Sequence, residues 1–404
     1  MTDFSGSNPC VVSGMRVSGH LHLGHKHGVL TNWVNLQHQY GSYFFAADLH
    51  GLTTHYDEPG FVKEYVWDLL VEWLACGINP NLSKVFIQSW VPEHAELYLL
   101  LSMMSPLGWL ERVPTYKDQQ EKLKEKDLAT HGFLGYPVLQ AADVLIYKGS
   151  LVPVGEDQVA HIELTREIER RFNCLYGRDA NFELLAQQAV QKMGKKNSRL
   201  YQKLRVSFQQ DGSHEALETA RALVEDQSNI SIGDKERLLG YLEGMGKLIL
   251  PEPEALLTAS PKIPGLDGQK MSKSYNNTIK LRETPADVEK NVMTMPTDPA
   301  RVRRNDPGEP ARCPVWQFHK LYSDDSVKAW VETGCRTAGI GCVECKRPVI
   351  DSIKKELEPI QENIRSYEAD MGSVKRIAAE GSERAREDAR KTLNDVREAM
   401  GLDY

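Results

Sequence analysis

The segment SGHLHLGH, residues 18–25, decides the fold of the first half of the chain, because it joins an apolar run at residues 10–13 to a helical pattern at residues 24–37. Small residues let a backbone approach a phosphate closely, and the amino end of a helix offers unpaired N–H groups. The imidazoles of His22 and His25 can donate to phosphoryl oxygens. We therefore predict a nucleotide site formed by Ser18, Gly19, His22, Gly24 and His25. For an isolated motif, two surface histidines at a helix start are an equally good interpretation.

Short β-rich runs alternate with helical periodicity through this half of the chain. Residues 43–47 and 85–88 are typical of buried strands, and apolar positions between residues 62 and 74 recur at helical spacing before Gly77. Such alternation indicates a parallel sheet covered by helices, with ligands bound at the carboxyl ends of the strands. The sequence therefore predicts the α/β class, with a Rossmann-type parallel sheet catalytic domain at residues 1–182.

The rest of the chain is mainly helical in pattern. Residues 183–250 are polar and helical with few β-branched runs, so we interpret them as a helical insertion. Residues 251–284 close the catalytic domain, and residues 285–404 form an all-helical domain with a charged end. We therefore expect a second, helical domain after the catalytic one.

Composition narrows the class of protein. Hydrophobic residues make up 41% of the chain and charged residues 26%, which is typical of a globular protein. No apolar run approaches the roughly 20 residues that a membrane helix needs, so we expect a cytoplasmic protein with no membrane partner. The net charge of −7 argues against indiscriminate binding of DNA, but leaves room for a local basic face. Candidate phosphate contacts are the exposed cations expected at Arg301, Arg303, Arg304, Lys346 and Arg347.

A second lysine-rich motif, KMSKS at residues 270–274, follows the turn-forming PGLDG at residues 264–268. Lys270 and Lys273 on such a loop can fold over a triphosphate and neutralise charge that moves onto pyrophosphate. A solvated lysine-serine loop is the alternative for this motif alone. In this order, SGHLHLGH and KMSKS resemble the paired signatures of class I aminoacyl-tRNA synthetases.

The sequence between the two signatures resembles tryptophanyl-tRNA synthetases of the bacterial type. The matching stretches are ADLHGLT at 47–53, GYPVLQAADV at 135–144 and VPVGEDQVAHIELTR at 152–166. The resemblance implies ATP with Mg²⁺, formation of tryptophanyl-adenylate, transfer to tRNA(Trp), an anticodon-binding helical domain and a homodimer. It assigns catalysis to His22, His25, Lys270 and Lys273. It also extends the ATP site to Gly155, Asp157, Met271, Ser272 and Ser274.

The same resemblance places a tryptophan pocket on Tyr136, Gln140, Asp143 and Gln158. Indole has one N–H donor and no acceptor, so an apolar slot with one acceptor suits it, and Asp143 fits that role. From the residues alone, Asp143 fits a helix cap or an ion pair as well, and Tyr136 fits a core position. Gln140 stands where many bacterial members have methionine, which puts the local contacts in doubt.

Three other functions compete with this hypothesis. A tyrosyl-tRNA synthetase shares both signatures and a pocket aspartate, but the GEDQ turn and the ADLHGLT run favour tryptophan. A nucleotidyltransferase with only the histidine motif is disfavoured by KMSKS and the helical tail. A non-catalytic, tRNA-binding paralogue is disfavoured because His22, His25, Lys270 and Lys273 are all present.

Four of the seven cysteines lie close together in sequence, at Cys313, Cys335, Cys342 and Cys345. Their spacing suits structural zinc or a [4Fe–4S] cluster, and buried free thiols are the alternative. The pattern is similar to one carried by a subset of tryptophanyl-tRNA synthetases that bind [4Fe–4S], so we favour the cluster. Four tryptophans in apolar surroundings fit either the core or a dimer interface: Trp33, Trp73, Trp90 and Trp109.

Overall fold

The computed structural model describes residues 9–113, 130–155, 158–177, 181–257 and 263–404. Within these ranges, five parallel strands form one sheet in the order β3-β2-β1-β4-β5. The strands are β1 (Cys10–Arg16), β2 (Gly41–Ala47), β3 (Ser83–Ile87), β4 (Leu151–Val154) and β5 (Glu254–Leu257). The predicted α/β class with a parallel sheet is confirmed.

The strand order reverses direction between β1 and β4. β1 pairs with β2 over seven residues, with Val12 opposite Tyr43, and with β4 at Val11 and Leu151. Open parallel sheets bind ligands in the crevice at such a point, beyond the carboxyl ends of the strands. The segments that follow Arg16 and Val154 therefore flank the expected ligand crevice.

The helix predicted at residues 24–37 forms, but it is not regular. It consists of α1 (Leu23–His25), a π-helical turn at Lys26–Leu30 and α2 (Thr31–Leu36). π-helical turns are frequent at functional sites and are not visible as a change in hydrophobic pattern. Trp33 on α2 stacks on Phe44 of β2 with a centroid distance of 4.4 Å, so the helix packs on the sheet.

The other helices of the sheet domain pack against its two faces. Trp73 on α4 (Pro59–Ala75) is fully buried and makes an edge contact with Trp33 at 5.1 Å. The remaining bounds are α3 (Asp48–Leu52), α5 (Glu93–Ser102), α6 (Leu107–Leu110), α7 (His131–Leu134), α8 (Tyr136–Leu145) and α9 (Val159–Tyr176).

A group of four consecutive helices follows α9 and has its own apolar cluster. They are α10 (Phe182–Lys192), α11 (Gly194–Asp211), α12 (His214–Glu225) and α13 (Ile232–Leu242). Tyr201 and Leu238 lie fully buried in that cluster, and the Tyr201 hydroxyl donates to the Leu238 carbonyl at 2.6 Å. Ser213 and Ser231 cap α12 and α13 with their side chains. The predicted helical character of this segment is confirmed.

The C-terminal part is helical, as predicted. Its helices are α14 (Pro285–Thr294), α15 (Pro314–Tyr322), α16 (Asp325–Arg336), α17 (Cys342–Ala369) and α18 (Met371–Ala399). A Cβ on Gly381 of α18 would lie 1.9 Å from the carbonyl oxygen of Val85, so α18 packs backbone to backbone on β3. The C-terminal helices thus cover the edge of the catalytic sheet. No helix in the described ranges is long and apolar enough to cross a membrane.

Candidate active site

Two of the three histidines of the first signature, His22 and His25, face each other at the start of α1. His22 caps the helix, and its Nδ1 accepts the Gly24 N–H at 3.1 Å. The Nδ1 of His25 accepts the His22 N–H at 3.3 Å, and the two ring centroids are 3.8 Å apart. Because each Nδ1 accepts from a backbone N–H, each neutral ring carries its proton on Nε2. Both imidazoles therefore remain able to donate from Nε2.

The charge on these histidines is set by their surroundings. Burial, with a contribution from Lys273, lowers the pKa of His22 to about 4. Burial and the neighbouring His22 also hold the pKa of His25 well below its usual range. Both rings are consequently neutral near pH 7. They can bind phosphoryl oxygens through N–H donors without adding a fixed charge before the nucleotide arrives.

The second signature reaches the first through Lys273. Its Nζ donates to the Gly19 carbonyl at 2.7 Å and to the Ser18 carbonyl at 3.1 Å, and lies 3.2 Å from the Ser18 hydroxyl. Burial lowers the pKa of Lys273 to about 8. Lys273, a predicted catalytic residue of the second signature, thus contacts Ser18 and Gly19, two predicted ATP-site residues of the first.

The other residues of KMSKS differ in position. Lys270 is exposed, so the structure does not bring it to the histidines as it does Lys273. Met271 is 5% exposed and packs in the core. The Ser272 N–H donates to Asn277 at 2.7 Å, which shapes the loop. The side chain of Ser274 lies outside the described residues.

Backbone hydrogen bonds connect the segment after KMSKS to the first signature. The Leu23 N–H donates to the Ile279 carbonyl at 3.0 Å, and the Leu281 N–H donates to the Leu21 carbonyl at 3.0 Å. Arg282 comes next in the chain and pairs with Glu72, a carboxylate that sequence analysis did not single out. The signal for it was present: Glu72 interrupts the apolar face of α4.

Asp143 lies at the centre of a buried hydrogen-bond network. Its Oδ2 is 2.8 Å from His50 Nε2, and its Oδ1 is 2.6 Å from His94 Nδ1 and 2.7 Å from Gln88 Nε2. His94 continues to the Tyr147 hydroxyl at 2.6 Å. Burial raises the pKa of Asp143, but hydrogen bonds and charge from His50 and His94 outweigh burial and lower it. The aspartate is therefore held in its charged form.

The other predicted pocket residues lie on or near the face of α8 that carries Asp143. Tyr136, Gln140 and Asp143 are spaced i, i+4, i+7 along α8 and so share one face. The Tyr136 ring lies 4.5 Å from His50, and the buried Gln140 Oε1 has no hydrogen-bond partner among the residues that the structure describes. Gln158 Oε1 is 2.7 Å from His161 Nδ1, whose ring is 6.1 Å from Tyr136. Gly155 is exposed at the end of β4, and Asp157 lies outside the described residues.

The four clustered cysteines form a second candidate site. They line a small cavity, partly open to solvent, between the segment of residues 297–301, the starts of α15 and α17 and the end of α16. Burial and then the thiols of Cys313, Cys335 and Cys342 raise the pKa of Cys345 to about 12. Among the described side chains, no three His, Cys, Asp or Glu groups are arranged to hold a metal ion. The four cysteines thus line one cavity, and the metal site stays a prediction.

The structure corrects the expected exposure of two cations beside this cavity. Arg301 is 9% exposed, and Lys346 is 4% exposed. Lys346 Nζ donates to the carbonyls of Met293 and Met295 at 2.7 and 2.6 Å, and Arg301 donates to the carbonyls of Arg304 and Ile340. Both side chains therefore make their hydrogen bonds inside the protein. The prediction of solvent-exposed phosphate ligands at these two positions was wrong. Arg303, Arg304 and Arg347 are exposed.

Comparison with known families accounts for this arrangement. The family model described as tRNA synthetases class I (W and Y) matches residues 5–204 and 225–358. The chain belongs to this family. Its two signatures are the segments at residues 18–25 and 270–274, which Lys273 joins in the structure.

Similar synthetases are found among both sequences and solved structures. The chain is 60% identical to a tryptophan–tRNA ligase of Ralstonia nicotianae, over 98% of each chain. It is 44% identical to a tryptophan–tRNA ligase of Thermotoga maritima, over 97% of this chain and 99% of that one. A tryptophanyl-tRNA synthetase from Campylobacter jejuni, complexed with ADP and tryptophan, matches with a TM-score of 0.72 and 25% identity, covering 97% of this chain and all of that one.

Proposed function

We propose that the chain is a tryptophan–tRNA ligase, which activates tryptophan with ATP and transfers it to tRNA(Trp). Support comes from the full-length relatives of that name and from the union of both synthetase signatures at one crevice of the sheet. The single observation that carries the proposal is the contact of Lys273 with Ser18 and Gly19, because it brings a cation from KMSKS to the phosphate loop.

The ATP site comprises both signatures and the turn after β4. Ser18, Gly19 and Gly24 supply backbone at the amino end of α1, and His22 and His25 supply neutral N–H donors. Lys270, Met271, Ser272, Lys273 and Ser274 form the loop over the triphosphate, and Gly155 and Asp157 belong to the nucleotide side of the β4 turn. Mg²⁺ bound with the ATP neutralises phosphate charge.

The reaction needs positioning and charge stabilisation more than acid–base chemistry. A carboxylate oxygen of tryptophan attacks the α-phosphorus in line, and the bond from that phosphorus to pyrophosphate breaks. Lys273 and the two histidines stabilise the developing negative charge. A ribose hydroxyl of tRNA(Trp) then attacks the acyl carbon, loses its proton and releases AMP.

Tryptophan binds across α8 in a pocket formed by Tyr136, Gln140, Asp143 and Gln158. The buried ring of Tyr136 walls the slot, and Asp143 is kept ionised by His50 and His94. Indole requires an acceptor for its N–H, and Asp143 and Gln140 both offer oxygen. Within the described part of the chain Gln140 Oε1 has no hydrogen-bond partner, so a donor on the ligand would satisfy it.

Pyrophosphate exchange tests the proposal directly. Purified protein is incubated with ATP, Mg²⁺, labelled pyrophosphate and each of the twenty amino acids in turn. We expect exchange with tryptophan only, followed by charging of tRNA(Trp). Exchange with tyrosine instead would establish the tyrosyl alternative, and no exchange with any amino acid would favour a non-catalytic paralogue.

The proposed function also assigns a role to each part of the chain. Residues 1–182 and 251–284 form the catalytic domain, residues 183–250 an insertion, and residues 285–404 the domain that binds the anticodon. The enzyme acts as a homodimer in the cytoplasm. Trp90 is 41% exposed and suits an interface, whereas Trp33 and Trp73 belong to the core.

The four cysteines hold a [4Fe–4S] cluster in this proposal. A zinc ion bound at about 2.3 Å requires sulfurs only about 3.8 Å apart, whereas a cubane is larger and needs a wider set. All four thiols line one cavity, and four cysteine thiolates are the ligand set of such a cluster. The cluster, when bound, would fix the starts of α15 and α17 relative to each other, and zinc remains the alternative occupant.

A further inference from the structure

Glu72 is a fully buried carboxylate on α4 that lies against the first signature. Its Oε2 accepts the backbone N–H of Leu21 at 2.8 Å. Leu21 stands between the two residues His20 and His22, so this hydrogen bond fixes the backbone from which the signature histidines extend. A backbone N–H in a loop has no ladder partner of its own, and Glu72 supplies one.

The other oxygen of Glu72 is held by Arg282. The Arg282 Nε donates to Glu72 Oε1 at 2.6 Å, and its Nη2 donates to Asp68 at 3.2 Å. Its Nη1 donates to Glu368, at the end of α17 in the C-terminal part of the chain. One guanidinium, nine residues after Lys273, therefore joins the signature loop to a C-terminal helix.

Charge makes this arrangement dependent on Arg282. Three carboxylates, those of Asp68, Glu72 and Glu368, surround one guanidinium, with the His20 ring 3.3 Å from Glu72 Oε1. A buried carboxylate without a cation is strongly disfavoured, so it takes up a proton or turns away. Turning away removes the acceptor of the Leu21 N–H, and protonation weakens it by removing the negative charge.

We propose that Glu72 and Arg282 are positioning residues for amino-acid activation. They hold the loop of His20–Leu23 in the geometry that the transition state requires, and they do not contact the reacting atoms. The inference rests on the proposed synthetase function. What it adds to that function is that the C-terminal helix α17 supports the ATP site through the guanidinium of Arg282.

The principal test is Arg282→Met, which removes the charge and keeps most of the length of the side chain. We expect kcat for tryptophan-dependent pyrophosphate exchange to fall at least tenfold, while KM for tryptophan changes less than twofold, because the tryptophan pocket lies on α8. Arg282→Lys keeps the charge but loses the planar guanidinium that contacts several carboxylates at once. It should therefore recover part of kcat.

A double variant separates positioning from general loss of structure. Glu72→Gln leaves an oxygen for the Leu21 N–H and removes the buried charge. In the Arg282→Met background it should therefore raise kcat severalfold above that of Arg282→Met alone. Lys354→Met is the matched control: it breaks another ion pair of α17, with Glu289 at 2.7 Å, and should leave exchange unchanged.

Two results would overturn the inference. One is an Arg282→Met enzyme with wild-type kcat, or with KM for tryptophan raised as much as kcat is lowered. The other is a double variant no better than Arg282→Met. If the unmodified chain itself shows no tryptophan-dependent exchange, the proposed function fails instead, so the two failures are distinguishable.

Discussion

The alkaline limb of the pH profile should report the ionisation of Lys273. Burial lowers the pKa of this ammonium from its usual 10.5 to about 8. The charged form is the one that binds phosphate, so free enzyme loses its competent state above pH 8. We expect kcat/KM for ATP to fall about tenfold for each pH unit above that value, because kcat/KM reports the free enzyme.

Two substitutions check the assignment. Lys273→Arg keeps its charge at all these pH values, so its profile should lack the limb near pH 8 even if its rate is lower. Lys273→Ala should reduce kcat for exchange by orders of magnitude with little effect on tryptophan affinity, because the lysine acts mainly on the transition state. The measurement is the initial rate of pyrophosphate exchange at a series of pH values from 6 to 9.5. A limb that persists in Lys273→Arg, or an unchanged kcat in Lys273→Ala, would refute the reasoning.

Three further predictions concern the pocket, the cysteines and the assembly. Asp143→Ala should cost about 2 kcal/mol or more in kcat/KM for tryptophan, and much less for an analogue without the indole N–H; equal losses would exclude the contact. Anaerobically purified protein should be brown, and Cys342→Ser should remove the colour while impairing tRNA charging more than activation. Colourless protein with about one zinc per chain would assign zinc to the same thiols, and protein without either metal would remove the site. Light scattering should give about twice the chain mass of 45.6 kDa, and a mass near that of one chain at micromolar concentration would contradict the dimer.

Local pattern was sufficient for β1, β2 and β3 and for the signatures, whereas the short strands β4 and β5 were not predicted. The strands and the SGHLHLGH loop are contiguous in sequence, and their residue types suit one backbone arrangement. Ser18 and Lys273 were both singled out because each belongs to a motif. Their contact spans 255 residues, and it followed from the family resemblance, not from periodicity.

Partners distant in sequence were not predictable in the same way. Nothing near Asp143 in the sequence indicates that His50, which follows β2, and Gln88 and His94, which follow β3, converge on it. For Lys346 the sequence predicted exposure, and the prediction was wrong. Its position after a cysteine suggested an exposed cation, but the backbone carbonyls of Met293 and Met295, at the end of α14, accept hydrogen bonds from its ammonium inside the protein. Burial of a charge depends on acceptors that only the folded chain brings together.

The helix α17 (Cys342–Ala369) has 28 residues and is about 42 Å long at 1.5 Å per residue. Its first turn carries Cys342 and Cys345, and its last turn carries Glu368. Between them Glu356 lies 3.1 Å from His27, which belongs to the π-helical turn after the first signature.

Two prolines, Pro348 and Pro359, interrupt the hydrogen bonds of α17 and separate these three contacts from one another. A bend at Pro348 shifts the cysteines while the contacts of Glu356 and Glu368 keep their spacing. A bend at Pro359 alters the spacing between the histidine loop and the segment after KMSKS. Each of the three segments of α17 that the prolines define therefore carries one of these contacts.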